Sequence, residues 1–471
     1  MKKSLIRLGA VLLLSLAILA WAHLAVGWTS DKVEIQETVL AGDRSAARGL
    51  NVSYSACDNS HHLRWDVELT LGGEILPETD FQFFVGRHYR ETKPEYTAQL
   101  YPLPINFGIS GRIAESEAFE QEYEYMCRPA MDAAGRTAPG EKRTETLRLA
   151  DYYRYYPVAL EAWTPKGPVY STSWRGSDRT LNREEWRKLN DYFRVPVPPD
   201  QMVTVTAERN SKGELVAVDC EEIAGEDGSV PLPFFSWGTA SGEALYLPVL
   251  PSREAADQVA AGIHVIPLLE KEGRLTLEQD RIRLLCPLAL AEDDLLSFCW
   301  NQDQSLLMLY AREAGRLVLT TIDPDTGETV QRLELMDIGQ EDFTGILHCG
   351  FLHLIYAEGG PFSLVREERG AFTQILAGSL DLPEPLLGLL YGSSQLAWDG
   401  ERLALTGAVQ GRADRESGRE QPDGFGAAVW TKEGLQYAGF YEYVPGRDWE
   451  NWQEGRYWYL FDGEVERAAW E

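Results

Sequence analysis

From residue 202 onward, apolar and polar positions alternate in short runs: 202–207, 214–219, 244–249, 262–268, 295–300, 305–311, 316–322 and 329–335. The rhythm continues at 351–356, 362–366, 372–377, 395–398, 402–406, 427–430, 435–441 and 457–461. A period of two marks a strand with one buried face, so each run predicts a β-strand. Turn-forming residues separate them, among them Ser211-Lys212-Gly213, Glu313-Ala314-Gly315, Asp399-Gly400 and Lys432-Glu433-Gly434. Upstream the pattern is less regular. Leu63, Trp65, Val67 and Leu69 alternate with polar residues until Gly72-Gly73, and 81–85 predicts a partner strand. The acidic stretch 115–125 predicts a short helix, whereas 131–142, with Gly135, Pro139 and Gly140, predicts a loop. The strongest helical signal is 182–193, where Trp186, Leu189 and Phe193 fall on one face and Asn182 or Thr180 can cap.

Short strands with turns every 8 to 12 residues imply an antiparallel sandwich, barrel or propeller. Residues 295–335 hold four strands in a blade-sized unit, and similar groups begin near 343 and 393. The stretch 202–471 has room for about six such units of ~42 residues, and the first half could supply one or two more. The expected fold is therefore all-β: a β-propeller of about six to eight four-stranded blades with an irregular, partly helical insertion, plus one N-terminal transmembrane helix.

The segment LVLTTIDPDTGETVQRLEL at 317–335 carries Asp323, Thr326 and Gly327 in an Asp-x-x-Thr-Gly spacing between two strands. It resembles a blade of the quinoprotein-like or tryptophan-aspartate-repeat propeller superfamily. Thr321 and Gln331 stand where the quinoprotein motif has alanine and tryptophan. The resemblance thus implies a fold without an activity and without a cofactor. Taken whole, the chain also looks like secreted or anchored bacterial propeller proteins that carry no assigned activity.

The N-terminus adds a compartment. Lys2, Lys3 and Arg7 precede an uncharged run at 8–28, which as a helix is about 32 Å long, close to the thickness of a bilayer core. The small-x-small triplet Ala20-Trp21-Ala22 lies inside the run, which favours an uncleaved anchor over a signal removed after secretion. Basic residues before it, against Asp31, Glu34 and Glu37 after it, place the N-terminus in the cytoplasm and the bulk outside. The expected organisation is a signal anchor at 1–29, a stalk at 30–50 and a propeller-like ectodomain at 51–471, with insertions about 111–143 and 175–200.

Charge narrows the partners. The 471 residues hold 73 acidic and 44 basic side chains, a formal net charge of −29. Phosphate backbones are repelled, so no nucleic acid is expected, and membrane contact is expected through the N-terminal helix only. The six cysteines, Cys57, Cys127, Cys220, Cys286, Cys299 and Cys349, include no Cys-x-x-Cys; up to three disulfides or buried thiols fit equally.

Candidate chemistry is sparse. Asp323, Asp325 and Glu328 lack the ligand spacing of a calcium loop and read as a turn. His348, Cys349 and His353 are potential zinc ligands, but on one strand Cys349 and His353 would lie about 13 Å apart. His61-His62 point to opposite faces of a strand. Asp293-Asp294 and Glu221-Glu222 are pairs expected from the acidic content alone. Tyr152, Tyr153, Tyr155 and Tyr156 around Arg154, and Tyr441, Tyr443, Trp449, Trp452, Tyr457, Trp458 and Tyr459, can pack between blades or form stacking platforms. No catalytic, cofactor-binding or metal residue is assigned. The expected role is a non-catalytic binding or scaffold module for a protein, peptide or glycan; the alternative is an extracytoplasmic carbohydrate-active hydrolase or lyase using channel carboxylates.

Overall fold

The computed structural model describes residues 2–30, 34–58, 63–83, 97–102, 107–110, 128–156, 158–164, 167–170, 183–222, 236–250, 259–271, 274–339, 345–357, 359–390, 394–409, 424–444 and 461–471. Two compact units divide the chain, one comprising Met1–Glu91 with Leu335–Glu471 and the other Thr92–Glu334. Both are predominantly β-sheet, and most sheets are four-stranded antiparallel units of the kind that form propeller blades.

In the first unit, Gly345–Cys349, Leu352–Tyr356, Pro361–Glu368 and Ala371–Ser379 pair in chain order. Ser394–Trp398, Leu403–Val409, Gly424–Thr431 and Gly434–Val444 repeat the arrangement. A third sheet joins the two ends of the chain: Phe461–Trp470 pairs with Leu50–Asp58, followed by Leu63–Thr70 and Glu78–Phe83. The alternation at 63–70 is realised as read, with Trp65, Val67 and Leu69 buried. The last strand described is Phe461–Trp470, and residues 457–460 of the run expected at 457–461 lie outside those described.

The interval 30–50, expected to be a stalk, is folded instead. Glu34–Gly42 adds a fifth strand beside Gly434–Val444, because Ile35 (8% exposed) is buried and Glu37 finds hydroxyl partners on that strand. Before it, helix α1 (Lys2–Ser30) presents exposed leucines along residues 8–19. Side chains of α1 are described only at 7–21 and Leu24, and among the described residues no helix is long and apolar enough to cross a membrane.

In the second unit, Leu295–Trp300, Leu307–Glu313, Arg316–Ile322 and Thr329–Asp337 form the meander expected at 295–335. Phe107–Ser110, Leu215–Glu222, Met202–Arg209 and Lys142–Arg148 form another sheet. The remaining sheet has eight strands. Its path runs Arg274–Leu277, Gly262–Lys271, Ala244–Val249, Ser236–Ala240, Thr97–Pro102, Val158–Thr164 and Gly167–Tyr170, with Arg283–Pro287 also on Gly262–Lys271.

Two helices pack in this unit. Helix α2 (Arg128–Arg136) corrects the loop expected at 131–142. Pro129 is tolerated in its first turn, and Ala130, Ala133 and Ala134 make a narrow buried stripe. Arg136 in the last turn reaches Asp132 and Glu145, the latter at 2.5 Å, which ties the helix to the Lys142–Arg148 strand. Helix α3 (Arg183–Phe193) forms where the periodicity places it, with Leu189 and Phe193 fully buried. The Trp186 side chain and the segment 115–125 lie outside the described residues.

Candidate functional site

The acidic segment at 323–328 is a turn. Asp323 Oδ1 accepts from the backbone N–H of Asp325 (2.9 Å) and Thr326 (2.8 Å), and the Gly327 N–H donates to the Asp323 carbonyl. These backbone donors hold the Asp323 carboxyl below its ordinary range. Its acceptor capacity is spent on the loop, which explains the residues that carry the propeller resemblance.

His348, Cys349 and His353 do not lie on one strand. The chain reverses at Gly350 (φ +57), so His348 and His353 face each other across a hairpin, with Nδ1 to Nδ1 at 2.6 Å. The His353 ring is 1% exposed, and its Nε2 lies 3.6 Å from Oε2 of the buried Glu367, beyond hydrogen-bond reach. Burial pushes His348 down to about 4, and burial together with the neighbouring imidazole pushes His353 down to about 3, so both rings are neutral at pH 7. Cys349 Sγ turns away to Gln395 Oε1 at 3.2 Å. Among the described residues, no group of three His, Cys, Asp or Glu side chains could hold a metal ion.

Cys220, Cys286, Cys299 and Cys349 are thiols; burial raises Cys286 and pushes Cys299 up to about 12, which makes them unreactive. The side chains of Cys57 and Cys127, together with His61-His62, lie outside the described residues. Among the described residues, the carboxylates whose acidity is displaced, Asp43, Asp132, Glu145, Asp303, Asp323, Glu334, Asp399 and Glu433, are all displaced downward by hydrogen-bond donors or cations. A general acid needs the opposite displacement.

Three of the aromatics singled out in the sequence are structural among the described residues. Tyr153 and Tyr156 are buried, and Arg154 stacks on Tyr155 at 5.0 Å. Tyr441 is buried, stacks on Phe425 at 4.8 Å and shares a hydrogen bond with Tyr437, whose hydroxyl donates to Glu37 at 2.7 Å. Arg44 neutralises that carboxylate at 2.7 Å. Burial foremost raises both tyrosine hydroxyls, so they stay protonated donors. Tyr443, Trp449, Trp452, Tyr457, Trp458 and Tyr459 fall in segments or side chains outside those described.

The aromatic surface lies elsewhere, on the eight-stranded sheet. Register puts Trp237, Gln99 and Glu161 in one cross-strand row and Thr239, Thr97 and Trp163 in the next, all on one face. The opposite face carries Ala98, Leu100, Leu160 and Ala162, all fully buried. Farther along the same sheet, the outer face is covered: Tyr246 packs edge-on against Trp300, whose indole N–H donates to the Ala240 carbonyl at 2.7 Å. Past that cover, Trp237 is 57% exposed and Trp163 is 44% exposed. Sequence reasoning passed over both tryptophans. The signal was present in Val158-Ala159-Leu160-Glu161-Ala162-Trp163, where the tryptophan occupies the polar phase of the alternation.

One further hollow, of about 460 Å³, is lined by Gly359, Leu380, Asp381, Leu382, Pro383 and Leu387 and offers Asp381 as its one ionisable group.

No family model matches the chain, and no curated protein matches it. Solved structures similar to it have low identity. Pseudomonas aeruginosa periplasmic gluconolactonase is 11% identical over 61% of this chain and 92% of its own, with a TM-score of 0.22. The β-propeller domain of Myceliophteria thermophila Cps50 (Swd1) is 10% identical over 52% and 84%, with a TM-score of 0.21. Chaetomium thermophilum Sqt1, solved with the N-terminus of the ribosomal protein L10, is 14% identical over 51% and 71%, with a TM-score of 0.22.

Proposed function

We propose that this chain is a non-catalytic binding module, built on a propeller-like fold, held at the outer face of a membrane by helix α1 and presenting its sheets to a protein, peptide or glycan. The observation that carries the binding role is the exposed pair Trp163 and Trp237 on a sheet whose other face is fully buried. Large apolar rings that keep this much of their area exposed are the composition expected of a contact surface. The uncharged run within α1, preceded by Lys2, Lys3 and Arg7, supports the anchor and its orientation.

Affinity capture with the full chain in detergent, scored against a chain of unrelated sequence, tests the binding role. A specifically retained protein, peptide or glycan is the expected result, and retention of nothing above background overturns it. Carbonate extraction of membranes tests the anchor: the chain is expected to stay in the pellet, and release into the supernatant removes the anchored reading.

A further inference from the structure

We infer that the hollow lined by Gly359, Leu380, Asp381, Leu382, Pro383 and Leu387 binds a small primary ammonium with an apolar body, its cation at Asp381 and its hydrocarbon on the leucines. The inference goes beyond the binding-module reading and does not depend on it. Shape, chemistry and charge carry it.

The hollow, of about 460 Å³, lies in the first unit, between the turn at 357–361 and the segment leading from Ala371–Ser379 into the 3-10 helix Glu384–Leu390. Backbone bonds fix both walls. The Leu380 N–H donates to the Gly360 carbonyl at 2.7 Å, the Ala357 N–H to the Pro361 carbonyl at 3.0 Å and the Leu386 N–H to the Pro383 carbonyl at 2.8 Å. Gly359 takes the left-handed conformation (φ +64), and a Cβ there would meet nothing within 4 Å, so the rim stays open on that side. The volume falls within the range of small-molecule sites, about 300–1,000 Å³, and the walls are in place before a ligand arrives.

Four aliphatic side chains, from Leu380, Leu382, Pro383 and Leu387, surround one carboxylate. Asp381 is exposed, and among the described residues it has neither a cation nor a hydrogen-bond donor as partner. A wholly apolar ligand would strip water from that carboxylate and return nothing. A metal ion needs about six oxygen ligands, of which one aspartate supplies two at most. A quaternary ammonium is held by aromatic faces, and no aromatic side chain lines the hollow. A primary ammonium meets the site on both counts: its N–H groups donate to the carboxylate while its hydrocarbon displaces water from the leucines.

Charge sets the sign. Residues 354–365 and 370–401, which supply both walls, contain Glu358, Asp381, Glu384, Asp399 and Glu401 and no Lys, Arg or His. An acid of the same shape is therefore repelled, and an amine is the electrostatic match.

The test uses the full chain in detergent, with calorimetry and ligand-observed NMR against phenylpropylamine, its alcohol analogue phenylpropanol and its acid analogue phenylpropionate, and with detergent alone as the blank. Saturable binding of the amine is expected, with the alcohol weaker by about fivefold or more and the acid not bound. Asp381→Asn should lower the amine to the affinity of the alcohol and leave the alcohol unchanged, and Asp381→Lys should abolish amine binding. Both variants should keep the parent's thermal midpoint, because an exposed carboxylate without a partner adds little to the fold. Leu387→Gln should weaken amine and alcohol alike. Absence of saturable amine binding, equal affinity for amine and alcohol, or amine binding that either Asp381 variant leaves unchanged overturns the inference. Binding of a capped glycyl-lysyl-glycine peptide without binding of the amine overturns it too, since the hollow would then be a contact for lysine side chains. Trp163 and Trp237 belong to the second unit, so none of these results bears on the proposed contact surface.

Discussion

Two sheets of the second unit contribute to a common apolar cluster yet are assembled in opposite ways. Phe298, Leu307 and Leu309 come from the meander Leu295–Asp337, in which each strand pairs with its neighbour in sequence. Tyr246, Ile263 and Val265 come from the eight-stranded sheet, whose strands are drawn from residues 97 to 287. The meander closes short loops and has one purpose, to pack. The eight-stranded sheet closes long ones, needs α3 to cover its inner face, and leaves part of its outer face to solvent. Structure that is cheap to close is legible and bland; the long-range sheet is harder to read and carries the surface available for binding.

The largest test of that contrast is Phe193→Ala. Phe193 is fully buried beneath the eight-stranded sheet, and Tyr192 beside it bonds His264 Nδ1 at 2.8 Å. Removing the ring should cost about 3–5 kcal/mol in a denaturant titration. A loss below about 1 kcal/mol would mean that the helix is not what covers the sheet, and the contrast with the self-sufficient meander would fail.

Gly238→Ala probes the same sheet more locally. A Cβ at Gly238 would meet the Tyr246 carbonyl oxygen at 2.2 Å and Leu247 at 2.9 Å, so the backbone itself must shift. The expected cost is about 2–3 kcal/mol, near the top of the range for overpacking, because no rotamer can relieve it. Displacing this strand should also disturb its neighbour Trp237, seen as a shift in tryptophan emission. Unchanged stability would show that the close approach at this point is not required.

The same division explains what the sequence revealed. Runs 244–249, 295–300 and 316–322 coincide with their strands, because alternation and flanking turns are both local. The strands Ser236–Ala240, Arg274–Leu277 and Arg283–Pro287 are short, and their pairing depends on partners that no window of sequence contains. Helix α2 was hidden because Pro129 and Gly135 mark a loop unless the alanine stripe is given more weight. The histidines were read along one strand, whereas a turn at Gly350 opposes them. For the candidate surface, the tyrosines were the louder signal, and Tyr153, Tyr156 and Tyr441 proved to be core. Two tryptophans on polar phases were the quieter one, and only cross-strand register brings them together.

Acidification separates the histidines of the two kinds of sheet. His264, in the long-range sheet, has both ring nitrogens bonded, to Tyr192 and to the Ala260 carbonyl. His353, in the local hairpin, has only His348 within hydrogen-bond distance, and its Nε2 is buried without a partner. The folded values of about 4 and 3 lie below the ordinary 6.5, so between pH 6.5 and 3 the unfolded chain binds more protons. Stability is therefore intact above pH 6.5 and falls as the pH is lowered. At least about 1 kcal/mol should disappear between pH 7 and 4. His353→Gln should flatten the slope, measured by urea titration at each pH; an unchanged slope would assign the acid sensitivity to other groups, with His264 the next candidate.

The smallest effect belongs to the exposed edge of the meander. Arg332 bonds Glu313 at 2.7 Å and lies 3.3 Å from Glu334, which also receives Arg316 at 3.0 Å. Cross-strand pairs of this kind hold register on a face that water already solvates, and their Coulomb gain is largely returned as side-chain entropy. Arg332→Ala should change stability by no more than about 0.5 kcal/mol, and 0.5 M salt should erase the difference. A loss several times larger would mean that the meander depends on its ion pairs as much as on Leu307 and Leu309, and that even a sequence-local sheet draws part of its stability from charges set by register.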